Sequence, residues 1–151
     1  MIKTCVVDLL KAPVDVIVHQ VNCKGVMGAG LAKQIREQYP DVYTRYCDYC
    51  KRTPIDKRLG SVQVVGTQSK IICNLFAQDA YGRDARYTDY NALRLCLMKV
   101  RKFMLQRGLQ SVGIPSRIGC GLAGGDWNVV QDIIQEVFAD APITVLICER
   151  S

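Results

Sequence analysis

Residues 117–127 read R-I-G-C-G-L-A-G-G-D-W: four glycines and an alanine, then a lone carboxylate, Asp126, and the only tryptophan. So little side chain ahead of an aspartate has two uses. It makes a tight turn ending in a helix cap, since aspartate is a favoured N-cap. It also makes a cradle in which bare backbone N–H groups meet an anion, because glycine lets the main chain approach and a helix N-terminus favours negative charge. Residues 22–30, N-C-K-G-V-M-G-A-G, have the same placement between a strand-like run and a helix-like run. Two such loops at one sheet edge suit a ligand with two phosphates. Neither carries Gly-Lys-Ser/Thr, so phosphate-loop ATP hydrolysis loses ground.

Regular elements must hold these loops. Residues 14–21 are dense in β-branched side chains and predict a strand buried on both faces, and residues 2–10 predict another. After the first glycine loop, residues 31–40 predict an amphipathic helix stopped near Pro40, and 41–52 a second, tyrosine-rich helix. Strands are expected over 61–66, 70–78, 111–116 and 143–148. The longest helix is capped by Thr88 or Asp89, buries Leu93, Leu97, Val100 and Met104, and closes at Gly108. A last helix over 126–140 turns Trp127, Val130, Ile134 and Val137 inward. Buried strands alternating with helices predict one α/β domain over residues 1–151, with a largely parallel sheet between helix layers.

The bulk numbers narrow the class. A chain of 151 residues with 49% hydrophobic and 23% charged residues is ordinary for a globular domain. No apolar run approaches the ~20 residues of a membrane span. The start M-I-K-T-C-V-V-D lacks a secretory signal, so a cytoplasmic protein with no membrane partner is expected. Eight cysteines stand mostly singly in apolar runs and read as reduced thiols. Cys47 and Cys50 have metal-like spacing, but no second pair accompanies them and His19 is the only histidine; they read as thiols on a helix, and no metal is assigned. The net charge of +6 favours acidic partners such as phosphates. Its clusters, Lys51, Arg52, Lys57 and Arg58, and the basic residues of the longest helix, read as solvated faces.

Together these motifs resemble a macrodomain, the three-layer α/β/α module, with a central mixed and largely parallel sheet, that binds ADP-ribose. V-V-D-L-L-K-A-P-V-D-V-I-V-H-Q-V-N (6–22) and the glycine loop after it follow the family's opening layout, with His19 where an asparagine is usual. That histidine, M-G-A-G and I-G-C-G-L followed by an aspartate are similar to the subgroup of terminal ADP-ribose protein glycohydrolases and yeast-type ADP-ribose-1″-phosphate phosphatases. The similarity covers nearly the whole chain.

The resemblance implies a role for each position. Asp8, with Leu9 beside it, would take the adenine amino group. Asn22, Gln20 and the backbone of Met27, Gly28, Ala29, Gly30 and Leu31 would hold the distal ribose and its phosphate. Ser116, Arg117 and Ile118 would join the Gly119, Cys120, Gly121 and Leu122 backbone in cradling the diphosphate. Asp126 would be the catalytic carboxylate, with His19 positioning water or phosphate. The subgroup's glycohydrolases attack the ribose with a lysine just after the strand expected over 70–78, and Gln78, which falls at or next to that position, would be a ligand-binding residue instead. Residues 75–90 contain no lysine, and glutamine cannot form the imine. Tyr81, Arg83, Arg86 and Tyr87 are suited instead to a terminal phosphate or ribose. The implied function is cofactor-free hydrolysis at the distal ribose of ADP-ribose-1″-phosphate, an ADP-ribosyl ester or O-acyl ADP-ribose, with ADP-ribosylated protein or nucleic acid as further partners. A non-catalytic ADP-ribose reader is the alternative, and a salt-sensitive nucleic-acid binder a third.

Overall fold

The computed structural model describes residues 1–150. Six strands form one sheet: β1 (Ile2–Val6), β2 (Val16–Asn22), β3 (Val62–Gly66), β4 (Ile71–Gln78), β5 (Ser111–Pro115) and β6 (Thr144–Glu149), in the order β1-β6-β5-β2-β4-β3. All neighbours run parallel except β3 against β4. Alternation along β2 decides the layers. Val16 and Val18 face a cluster with helices α3 (Tyr90–Arg107) and α4 (Trp127–Phe138), whereas Ile17 and Val21 face α1 (Gly30–Gln38) and α2 (Pro40–Arg52). The result is three layers, helices on both faces of a mixed, mostly parallel sheet.

Local chemistry sets the element ends. The run expected as one strand over 2–10 stops at Val6. Asp8 accepts the Leu10 amide at 3.0 Å and starts a 3-10 turn, Leu9–Lys11, which turns Leu9 and Leu10 into the core. Pro40 ends α1 and, having no N–H to leave unsatisfied, begins α2 as its first residue. Asp89 accepts the Ala92 amide to cap α3, and Gly108, at φ +65°, closes it. Trp127 is half-buried, and Ile133 joins Val130, Ile134 and Val137 on the buried face of α4.

Connectivity then creates a crevice. The chain leaves β2 toward α1 on one face and leaves β5 toward α4 on the other. In open α/β sheets such a reversal between neighbouring strands marks the ligand crevice at their carboxyl ends. Here the two strands also part. β2 pairs with β5 only at Val16 with Val112 and Ile17 with Gly113, and from His19 onward the ladder continues on the β4 side alone. Phe76 underlies this region, fully buried between Tyr46, at 5.6 Å, and Tyr49, at 5.0 Å. Phe76→Ala is expected to cost about 3–5 kcal/mol in urea unfolding, because α2 cannot collapse onto the vacated volume without leaving β4.

Candidate functional site

The crevice is a cleft of about 550 Å³, walled by residues 19–32, the exit of β4 and residues 115–123. Its floor is fixed by Asn22. The Asn22 side chain donates to the Val26 carbonyl at 2.8 Å and accepts the Lys24 amide at 2.9 Å. The buried Tyr46 hydroxyl donates to the Asn22 carbonyl at 2.6 Å and accepts the amides of Gly25 and Val26, each at 3.1 Å. Burial holds this phenol well above its ordinary pKa, so it remains a donor. The exposed Lys24–Asp79 pair, at 3.6 Å, adds little beside that knot.

Past the knot the chain enters α1, and here capping becomes informative. Asp89 and Asp126 each cap their own helix with a carboxylate. Ala29, the N-cap of α1, has no side chain able to do so. The first-turn residues Gly30, Leu31 and Ala32 line the cleft, and their amides meet no acceptor among the described residues. This N-terminus is open to an anion.

The opposite wall is the loop after β5. Arg117 (φ +63°) and Gly119 (φ +73°) adopt left-handed backbone. A Cβ on Gly119 would lie 2.8 Å from Gln20 Oε1 and 2.9 Å from Thr88 Oγ1, so only glycine fits. Gln20 binds the walls together. Its amide donates to Gln78 at 2.9 Å and to Thr88 at 2.8 Å, and Thr88 in turn donates to the Gly119 carbonyl at 2.7 Å. The amides of Gly119, Gly121 and Leu122 meet no acceptor among the described residues and offer a second set of donors. Gly119, Gly121 and Gly124 also spell the G-x-G-x-x-G of dinucleotide turns, where the pyrophosphate sits on the next helix. Asp126 already occupies that helix end.

His19 is the one buried titratable side chain of the cleft, 1% exposed. Its Nε2 lies 2.5 Å from Asn74 Oδ1, and its Nδ1 is buried without a partner. Burial lowers its pKa from 6.5 to about 4, against the opposing pull of Asn74, so the ring is neutral at pH 7.

Of the residues expected from sequence, Gln20, Asn22, Gly28, Ala29, Gly30, Leu31, Gln78, Ser116, Arg117, Ile118, Gly119, Gly121 and Leu122 join His19 in the wall. Five do not. Asp8 is exposed in its turn beyond β1, with Leu9 in the core beneath it. Met27 is buried beside Tyr46 and Phe76, and Cys120 packs its half-buried thiol against the core. Asp126 is the fifth. It is not among the cleft-lining residues; its exposed carboxylate accepts the Asn128 amide at 2.9 Å and caps α4. Of the β4-exit residues, Tyr81 and Arg83 line the cleft; Arg86 stacks on Tyr90 and Tyr87 donates to Asp84. Cys47 and Cys50 lie on α2, and no three His, Cys, Asp or Glu side chains among the described residues are placed to hold a metal. Sequence reasoning missed Tyr46 and Asn74, lone polar groups inside apolar faces.

Residues 18–134 match the Macro domain family. The chain belongs to the macrodomain family. This macrodomain is 36% identical to the ADP-ribose 1″-phosphate phosphatase of Scheffersomyces stipitis, over 90% of its own length and 91% of that protein. It is 31% identical to the DNA ADP-ribosyl glycohydrolase of Mycobacterium tuberculosis over 89% of its length, but spans only 38% of that longer relative. Among solved structures, the macrodomain of Thermus aquaticus DarG matches with a TM-score of 0.84 at 26% identity, covering 99% of this chain and 98% of that one.

Two outcomes follow. NMR titration of the single histidine is expected to give a midpoint near 4, not 6.5. Because the folded value lies below the unfolded one, the unfolded chain takes the proton first as pH falls. Stability from the neutral ring is therefore whole above pH 6.5 and lost down to about pH 4, by roughly 3 kcal/mol in total. Asp126→Ala, in turn, is expected to cost about 1 kcal/mol in thermal unfolding while the cleft keeps its shape, the effect of losing an N-cap.

Proposed function

We propose that the cleft binds an ADP-ribose derivative, with its diphosphate between the open N-terminus of α1 and the amides of the Gly119–Leu122 turn, and hydrolyses a bond at the distal ribose. The observation that carries this reading is the α1 N-terminus: uncapped, facing the cleft, in a chain that caps α3 and α4 with aspartates. The named relatives, a phosphatase and a glycohydrolase of ADP-ribose derivatives, support it.

ADP-ribose 1″-phosphate is the substrate this wall favours. Among the described residues no lysine and no carboxylate lines the cleft, so an imine with the ribose has no nucleophile here. Arg83 and Tyr81, at the exit of β4, stand where a terminal phosphate can be gripped. His19 Nδ1 accepts a hydrogen bond from the attacking water; an oxygen–phosphorus bond forms as the bond from phosphorus to the ribose oxygen breaks, and the proton the water gives up is the one the departing oxygen takes. ADP-ribosylated macromolecules are further partners, and cysteine usage supports a cytoplasmic setting. The absence of any carboxylate in the wall also favours a second reading, a binder that turns nothing over.

Phosphorus NMR of ADP-ribose 1″-phosphate with the protein separates the two. Release of phosphate and a fall in kcat of about a hundredfold in His19→Ala with KM little changed are expected, and Asp126→Ala measured beside it reports whether that carboxylate takes part. Binding with no release contradicts the phosphatase assignment and leaves the reader, or a hydrolase of another ADP-ribosyl ester.

A further inference from the structure

A chain of side-chain amides runs from the surface of α2 to the wall of the cleft. It begins at a group with no freedom of role: the backbone carbonyl of Arg45, which can only accept. Gln63 Nε2 donates to it at 2.9 Å. That fixes the Gln63 amide and turns its Oε1 toward Asn74, whose Nδ2 donates to it at 3.0 Å. Asn74 is fully buried on β4, directly opposite His19 in the register, and its remaining acceptor, Oδ1, faces the imidazole 2.5 Å from Nε2. Nε2 must therefore carry the ring proton, and Nδ1 must be the bare nitrogen. Nδ1 is the ring atom left buried without a partner, on a residue of the cleft wall.

We infer that Asn74 and Gln63 are positioning residues that fix the tautomer of His19, so that the cleft offers its ligand an obligate acceptor at Nδ1. This rests on the function proposed above and adds a rule of specificity to it. A buried acceptor left empty is costly, so this corner selects a donor, a ribose hydroxyl or the attacking water, and rejects a phosphate oxygen. The terminal phosphate is thereby kept toward Arg83. Gln63 acts without touching the cleft: it lies on the edge strand β3, half-buried, and works through two intervening side chains.

Because His19 is the only histidine, nitrogen-15 NMR of histidine-labelled protein at pH 7 reads one ring without assignment. The expected spectrum has the proton on Nε2 and an unprotonated Nδ1. Saturating ADP-ribose is expected to move Nδ1 toward the hydrogen-bonded range and leave Nε2 in place. Gln63→Glu, which still accepts from Asn74, is expected to keep this pattern. Gln63→Lys can only donate; it forces Asn74 to turn its amide toward His19, moves the proton to Nδ1 and weakens ADP-ribose roughly tenfold or more. Gln63→Leu releases the Asn74 amide and raises the Nδ1-protonated fraction about fivefold, so the test survives if the lysine variant misfolds. A wild-type ring protonated on Nδ1, or folded Lys and Leu variants with unchanged spectra, overturns the inference. An unmoved Nδ1 with ADP-ribose bound by calorimetry overturns the acceptor role. Calorimetry with no binding at all overturns the proposed function, while the ligand-free spectrum still decides the tautomer.

Discussion

Everything about this site depends on β2 letting go of β5. The two strands share a ladder only as far as Ile17 and Gly113. Had the pairing continued, the carboxyl ends would have closed into an unbroken sheet edge. Instead β2 runs on beside β4 alone, and the gap becomes the cleft. The following helices leave on opposite faces of the sheet. The walls are tied around the opening: Gln20 bridges to Gln78 and Thr88, Thr88 reaches Gly119, and Tyr46 anchors the turn after Asn22.

Within that opening, what the wall offers an anion is unfinished backbone more than charge. Most of the chain's positive residues lie elsewhere, and Arg83 and Arg117 are the cations of the wall. The donors are amides left over when a helix begins without a capping side chain and when a turn is made of glycine. A carboxylate cap is worth about 1 kcal/mol to a helix. Forgoing one at α1 is a small loss against the site it leaves open. Asp126 makes the same point in reverse, since its carboxylate takes the Asn128 amide and puts a negative charge at the N-terminus of α4.

How much of this was legible in the sequence follows from what leaves a pattern. The apolar run of β2 and the two glycine loops are patterns several residues long, and they located both the sheet and the walls of the cleft. The 3-10 turn at Leu9 was not, because Leu9 and Leu10 extend an apolar run that reads equally as strand. Asp126 was ambiguous in kind: one aspartate before a helix serves as cap or as catalyst, and the structure shows the cap. Asn74 left no trace, being one amide in an apolar strand whose meaning comes from a histidine 55 residues away.

The central claim is that the uncapped N-terminus of α1 holds the ligand's phosphate, and Ala29→Asp tests it most directly. Ala29 already has the extended backbone of an N-cap, at φ −147° and ψ 158°. An aspartate there supplies the missing cap and occupies the anion site. Thermal unfolding and calorimetry with ADP-ribose are measured on the same sample. The account predicts that the variant melts a few degrees higher and loses ADP-ribose affinity by about a hundredfold or more, since a fixed carboxylate now meets the phosphate. A variant that is more stable and binds ADP-ribose as well as the parent would contradict it, and would place the phosphate elsewhere in the cleft.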